Sequence, residues 1–289
     1  MSGPLTSLGT CPRTGALTAL PTYLLRAPGA TRDGRVGVDP GWPHDSRLML
    51  TLVIPAHNEA RLLPRLLDSI EVARARYAAG PAAVEVIVAD NGSTDETASI
   101  ARARGCRVVP VVPRLIAAAR NGGAAVASGA ILAFVDADSE IHPDTFNAIE
   151  RALGNPRIVG GATGVRPDRW SPGLVATYMV FLPFVFLTGM DTGVVFCRRE
   201  DFVQVGGYDE RREIAEDVAF LWALKRLGWS RGQRLTRLRS VKAMTSTRKF
   251  DRYGDWHYLT TMPGLAVGMI LRPGATRAFI RRYWYQDRE

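Results

Sequence analysis

The feature that most constrains this chain is an alternation of short apolar runs with helix-like segments, which begins at residue 49. "LMLTLVIPA", "AVEVIVAD", "CRVVPVV" and "AILAFVDADS" read as four strands. They are apolar almost throughout rather than at every second position, so both faces of each must be covered, as in a parallel sheet. A helix is expected over 64–77, where Leu66, Leu67, Ile70 and Ala73 share one face. A second is expected to open on a Ser93/Glu96 capping box and run to about Arg104, and "IAAARNGGAAVASG" reads as a small-residue helix. Strands and helices in this rhythm imply an α/β class with a mostly parallel, Rossmann-like central sheet flanked by helices.

Beyond residue 140 the rhythm changes. "HPDTFNAIERAL" predicts a helix with Pro143 near its first turn, "RIVGGATGV" a strand, "TGVVFCRRE" another strand, and "DFVQVGGYDE" a turn region. "AEDVAFLWALKRLG" has the spacing of an amphipathic helix. Residues 174–190, "LVATYMVFLPFVFLTGM", are the most apolar stretch; 17 residues interrupted by Pro183 are short for a spanning helix, so a buried or interfacial helix is expected. The chain divides accordingly into a disordered extension at 1–47, a first half at 48–140, a second half of the same domain at 141–250, and a basic segment at 251–289. The extension is rich in Pro, Gly, Ser, Thr and Arg, lacks the apolar core of a signal peptide, and leaves Met49 as an alternative start.

Charge narrows the possible partners. Lys+Arg number 37 against 28 Asp+Glu, and residues 226–289 alone carry 14 against 4, more than the whole net charge of +9. That end could meet phosphates or an anionic membrane surface. Aromatics are not interleaved with it in an RNA-binding signature, so nucleic acid is not an expected partner. Cys11, Cys106 and Cys197 form neither a zinc pattern nor a disulfide framework and suit a reducing, cytoplasmic compartment.

The chemistry lies at the strand ends. Ligands of open α/β sheets sit beyond the carboxyl ends of the strands, and there the chain puts His57-Asn58-Glu59, Asp90, and the pair Asp136/Asp138. Two carboxylates one residue apart repel unless a cation or donors offset them. A hard divalent ion, Mg²⁺ or Mn²⁺, takes such oxygens alongside substrate phosphates. As a bare tripeptide D-x-D is a weak signal; beside two other acidic strand ends it points to a metal–diphosphate site.

In their order and spacing, "VIPAHNEA", "VADNGSTDET", "AARNGGAAVASGAILAFVDADS", "VGGYDE" and "AEDVAFLWALKRLG" resemble the family 2 glycosyltransferases of the GT-A fold, over about residues 49–250. The resemblance implies an inverting transferase that moves a sugar from a UDP- or GDP-linked donor to an acceptor hydroxyl. It assigns Pro55, Glu59 and Asp90 to the nucleoside, Arg120 and Asn121 to the nucleotide and donor sugar, Asp138 to the metal, and Asp136 to ribose or metal. It makes Asp217 of the Glu216-Asp217 pair the catalytic base and Gly206-Gly207 with Tyr208-Asp209 an acceptor-side turn. "TSTRKF" resembles a segment whose basic side chains, Arg248 and Lys249, would neutralise the diphosphate, and His257 is a candidate late metal ligand.

Two other readings compete. A nucleotidyltransferase acting on sugar phosphates shares such a core, but "IPAHNEAR" lacks the Gly-rich phosphate loop expected of one. A non-catalytic nucleotide-sugar or membrane-surface binding protein needs neither Asp138 nor Asp217, and both are present. The acceptor is not legible. The apolar stretch at 174–190 and the Arg-rich "RAFIRRYWYQDRE", with Arg281, Arg282, Tyr283 and Trp284, point to a polyprenyl-phosphate or glycolipid and to peripheral association with the inner face of a membrane.

Overall fold

The computed structural model describes residues 50–212, 214–261 and 264. The expected extension at 1–47 and most of the basic segment at 251–289, including Arg281, Arg282, Tyr283 and Trp284, lie outside them. Strands β1 (Leu50–Ala56), β2 (Val84–Asp90) and β4 (Ile131–Phe134) carry the apolar runs, and β1 is buried along its whole length. β1 pairs in parallel with β2 on one side and β4 on the other, and β3 (Arg107–Pro110) extends β2 in parallel.

Alternate residues of these strands enter two cores, one on each face of the sheet. Leu50, Leu52 and Ile54 pack with Leu63, Leu66 and Ile70 of α1 (Leu63–Ala75) and with Phe146 and Ile149 of α4 (Thr145–Leu153). Val53, Ile87 and Phe134 pack on the other face, with Phe202 of α6 (Arg199–Val205), Phe220 and Leu224 of α7 (Glu216–Ser230), and Tyr208. Helix α3 (Ile116–Ala125) covers that same face of β1 and β2.

The second half of the chain continues the sheet. β6 (Ile158–Pro167), β7 (Val195–Arg198), β8 (Arg234–Thr245) and the two-residue β5 (Ser139–Glu140) complete an eight-stranded order β3-β2-β1-β4-β7-β6-β8-β5. β7 is antiparallel to β4 and β6, while β8 runs parallel to β6. The apolar stretch forms α5 (Pro172–Thr188), with Pro183 inside it; no helix among the described residues is long and apolar enough to cross a membrane.

Four sequence expectations need correction. Ser93 and Glu96 form no capping box: the Ser93 hydroxyl accepts from the Asn58 amide at 3.1 Å, and α2 (Thr97–Ala103) starts after Glu96 without a side-chain cap. Ser93 is tied to the end of β1, while Asp95 Oδ1 accepts from the Thr97 amide at 3.0 Å at the start of α2. The fourth strand stops at Phe134, because β7 pairs only as far as that residue; the Asp136/Asp138 segment bends away toward β5. α4 begins at Thr145, after a turn in which the Thr145 amide donates to the His142 carbonyl. "DFVQV" belongs to α6 rather than to a turn, its first turn carrying Glu200 and Asp201 at the favourable helix end.

Candidate active site

The carboxyl ends of β1, β2 and β4 bring the first group of residues together. Pro55 lies buried within β1, level with Ala89, and Asp90 closes β2, where its Oδ1 accepts from the Ser93 amide at 3.0 Å. Asn58 adopts φ 51°, a conformation asparagine tolerates, and its side-chain oxygen accepts from the Thr94 amide at 2.8 Å. The two loops are thus laced to one another before any ligand arrives.

Arg120 is the centre of the second group. It projects from α3, is buried, and Nη1 donates to Glu216 Oε1 at 2.9 Å while Nη2 donates to Asp136 Oδ1 at 2.8 Å. Nη1 also bonds Asp217 Oδ1, and the Tyr208 ring lies 5.1 Å from its guanidinium carbon. Glu216 and Asp217 form the first turn of α7, entered through Ala215 at φ 56°, a strained conformation for a residue other than glycine. Three carboxylates therefore share one cation. Burial pushes Asp217 up to about 7; Arg120 opposes that rise, and the charges of Glu216 and Asp136 add to it. Burial also works against the charge of Arg120, but Asp217, Asp136 and Glu216 outweigh it and hold its pKa above the usual arginine value.

Asn121, next along α3, makes its contacts with the Gly-Gly turn. Its Oδ1 accepts from the Tyr208 amide at 2.8 Å, and its Nδ2 donates to the Tyr208 carbonyl at 2.9 Å and to Glu210 at 2.8 Å. Gly207 has φ +69°, and a Cβ there would stand 2.7 Å from Asn121 Oδ1. Asn121 is a clamp between α3 and the turn leading to α7.

Arg248 opens α8 (Arg248–Tyr253) and reaches back across the sheet edge. Nη1 and Nη2 donate to Glu59 Oε2 and Oε1 at 2.8 and 2.7 Å, and Nη2 lies 3.1 Å from Asp138 Oδ2. The connection is fixed on both sides: the Ser246 amide donates to the Asp138 carbonyl at 3.1 Å, and the Thr247 hydroxyl to Asp168 Oδ1 at 2.6 Å. Nothing in the local sequence marks Asp168, and its role was not foreseen. Lys249 is half-buried beside His257. The His257 ring packs on Phe250 and Tyr258, and its Nδ1 lies 2.8 Å from the Gly254 carbonyl. Burial and Lys249 lower its pKa, against the Gly254 carbonyl and Asp255.

The strand-end carboxylates suit a hard divalent ion. Asp136 and Asp138 are each matched to a guanidinium, Arg120 and Arg248, which answers their mutual repulsion in the protein alone. The Asp136 side chain remains half-exposed and Asp138 retains partial access. No three His, Cys, Asp or Glu side chains among the described residues converge as a ready metal cage. Two carboxylates completed by substrate phosphates and water are the usual arrangement for Mg²⁺ at phosphate sites.

The mixed, mostly parallel sheet flanked by helices is the GT-A architecture of glycosyltransferases. The chain belongs to glycosyltransferase family 2: the model "Glycosyl transferase family 2" matches residues 51–199, just over half its length. It is 32% identical over 145 residues to validoxylamine A glucosyltransferase of Streptomyces hygroscopicus subsp. limoneus, covering 47% of this chain and 31% of that one. It is 30% identical over 197 residues to 4,4'-diaponeurosporenoate glycosyltransferase of Staphylococcus aureus, covering 59% and 49%. The chain thus spans a third to a half of the length of these curated relatives. Among solved structures, the mannosyltransferase PcManGT of Pyrobaculum calidifontis with GDP-Man and Mn²⁺ shares the fold at TM-score 0.56 and 21% identity, covering 80% of this chain and 64% of that one. Glucosyl-3-phosphoglycerate synthase of Mycobacterium tuberculosis, with Mn²⁺ and UDP, does so at 0.50 and 23%, covering 75% and 81%.

Proposed function

We propose that this protein is an inverting glycosyltransferase that moves a sugar from a UDP- or GDP-linked donor to an acceptor hydroxyl. The observation that carries the reading is Arg120, which holds Asp136 of the donor side and Asp217 of the acceptor side on one guanidinium. The carboxylate that would activate the acceptor therefore stands one side chain away from the carboxylates that would face the diphosphate.

Asp217 is the base. A sugar or lipid hydroxyl is a poor nucleophile until a positioned acceptor begins to take its proton. A carboxyl held at about 7 is ionised in part at neutral pH and basic enough to accept that proton. As the acceptor oxygen bonds to the anomeric carbon, the bond from that carbon to the donor phosphate breaks and its electron pair leaves with the nucleoside diphosphate. One in-line displacement inverts the anomeric centre. Glu216 and Asp136 keep Arg120 in place; Asp90, Glu59 and the backbone at Pro55 form the nucleoside wall, and Asn121 fixes the turn that faces the acceptor. Arg248, with Lys249, is the cation that meets the diphosphate once it leaves Glu59 and Asp138. Asp138 with Asp136 would hold Mg²⁺ or Mn²⁺, which would supply Lewis-acid stabilisation of the leaving phosphate, and His257 would be a candidate further ligand. The acceptor proposed is amphiphilic, a polyprenyl-phosphate or glycolipid at the cytoplasmic face of a membrane; the free thiols of Cys106 and Cys197 suit that compartment.

The test is a panel of nucleotide sugars with Mn²⁺ or Mg²⁺. At least one UDP- or GDP-sugar should raise the Tm, and chelation should abolish the rise; no response across the panel refutes the donor site. Asp217→Asn should retain donor binding and lose transfer, and an active Asn variant removes Asp217 as the base.

A further inference from the structure

We infer that α5 is a docking face for an anionic bilayer surface, on which it lies in the plane of the headgroups. The helix carries no charged residue from Pro172 to Thr188, and among its described side chains the buried ones are Leu174 and Thr177, in the first turns. Val175, Met179 and Leu187, on one stripe at four-residue multiples, are exposed at 46%, 64% and 85%, with Val180 and Phe181 beside them at 60% and 45%. A helix apolar on all sides is normally enclosed by protein or by lipid. This one is enclosed by protein along only part of its length.

The ends of α5 identify the occupant. At the N-terminal end Trp170 is exposed and packs on Tyr178 at 5.4 Å, and the backbone of Asp255 lies against Gly173, which brings exposed Tyr253 and Trp256 alongside. At the C-terminal end Lys225 donates to the Thr188 carbonyl at 2.8 Å and stands over the exposed rings of Trp222 and Trp229. Tryptophan and tyrosine flanking an apolar segment, with Lys225 at its C-terminal end, match a membrane–water boundary. Of the carboxylates nearest the ends, Asp191 is paired with Arg237, and Asp255 and Asp251 share Arg169 with Arg252 alongside, standing over the Tyr253 ring.

The face is also coupled to the site. The residue that anchors Thr247, and with it Arg248, is Asp168, three positions before the Ser171 cap of α5. Docking would therefore set the outer edge of the donor site at the lipid surface, where an amphiphilic acceptor presents its polar end. The inference stands without the transferase reading, and its test uses neither donor nor acceptor.

The full chain should float with phosphatidylcholine vesicles containing phosphatidylglycerol, bind pure phosphatidylcholine more weakly, and release with salt. The double variant V180E/L187E changes two exposed side chains and should keep the wild-type Tm while losing at least about tenfold in vesicle partition, since each removes one apolar anchor. V203E, at an exposed apolar position away from α5, should leave partition unchanged. Equal partition of wild type and V180E/L187E overturns the inference. A dimer by light scattering that the double variant dissolves, with no vesicle binding, also overturns it, in favour of a second copy as the partner. Loss of vesicle binding with nucleotide-sugar binding intact separates this result from failure of the donor site.

Discussion

Replacing Arg120 by methionine removes the one cation shared by Asp136, Glu216 and Asp217 while keeping an unbranched side chain of similar length. Asp136 is half-exposed and can turn to water, but the side chains of Glu216 and Asp217 are only 9% and 19% exposed and stay in the site. Asp217 already lies near 7, with Arg120 opposing the rise. Without that charge the variant should hold about half a proton more than the wild type, averaged between pH 6 and 8, because wild-type Asp217 is itself half protonated at about 7. The same carboxyls are ionised in the unfolded chain across this range, so the folded state binds the excess protons and stability falls as pH rises. Half a proton over two pH units is about 1.4 kcal/mol. At about 2–4 °C per kcal/mol, the Tm gap between variant and wild type should widen by roughly 3–6 °C from pH 6 to pH 8. Thermal melts in chelator-containing buffer measure it directly. The lost contact with the Tyr208 ring is independent of pH and cancels in the comparison. A gap that stays constant from pH 6 to 8 refutes the shared-cation account of the site.

Other perturbations probe neighbouring parts. Asp217→Asn should melt above wild type at pH 8, because the wild type must ionise an acid whose folded pKa exceeds its unfolded value; the gain should shrink as pH falls below about 7 and vanish only by about pH 3, below the unfolded value, as paired melts will show. Arg248→Gln leaves Glu59, only 3% exposed, without its bidentate partner, and denaturant unfolding should show a loss of about 2–3 kcal/mol, at the lower end for a broken buried pair because Arg248 is partly exposed. The same variant should show a larger Mn²⁺-induced rise in Tm than wild type, since Asp138 no longer shares its charge. Gly207→Ala, at φ +69°, should cost about 1–2 kcal/mol from backbone conformation alone, and more through the contact with Asn121.

Much of the parallel half of the sheet was legible because continuous apolar runs such as "LTLVIPA" and "VEVIVAD" admit few structures other than strands covered on both faces. The strand-end carboxylates were visible for the same reason, since their places follow from where those runs stop, whereas Arg120, inside a helix, came only through the family resemblance. β8 was not. "RLTRLRSVKAMT" has arginine at three positions and lies largely half-buried, so it has neither an apolar run nor a clean alternation. Without β8 there was no way to see that Arg248 meets Glu59, 189 positions earlier. α6 was missed because seven residues are too few to declare a helical period. The capping box failed because Ser93 had a better partner in another loop, and competition of that kind is invisible in a local pattern.

Gly123 lies one turn beyond Arg120 on α3, against β1, and a Cβ there would come within 2.4 Å of the Val53 side chain. The bare backbone lets the helix sit low on the sheet, and that depth sets how far the Arg120 side chain extends past the sheet edge. A methyl group at 123 would lift the helix like a shim under a ruler, tilting the guanidinium away from its three carboxylates. The grip of Arg120 on its three carboxylates thus rests on an atom that is not there.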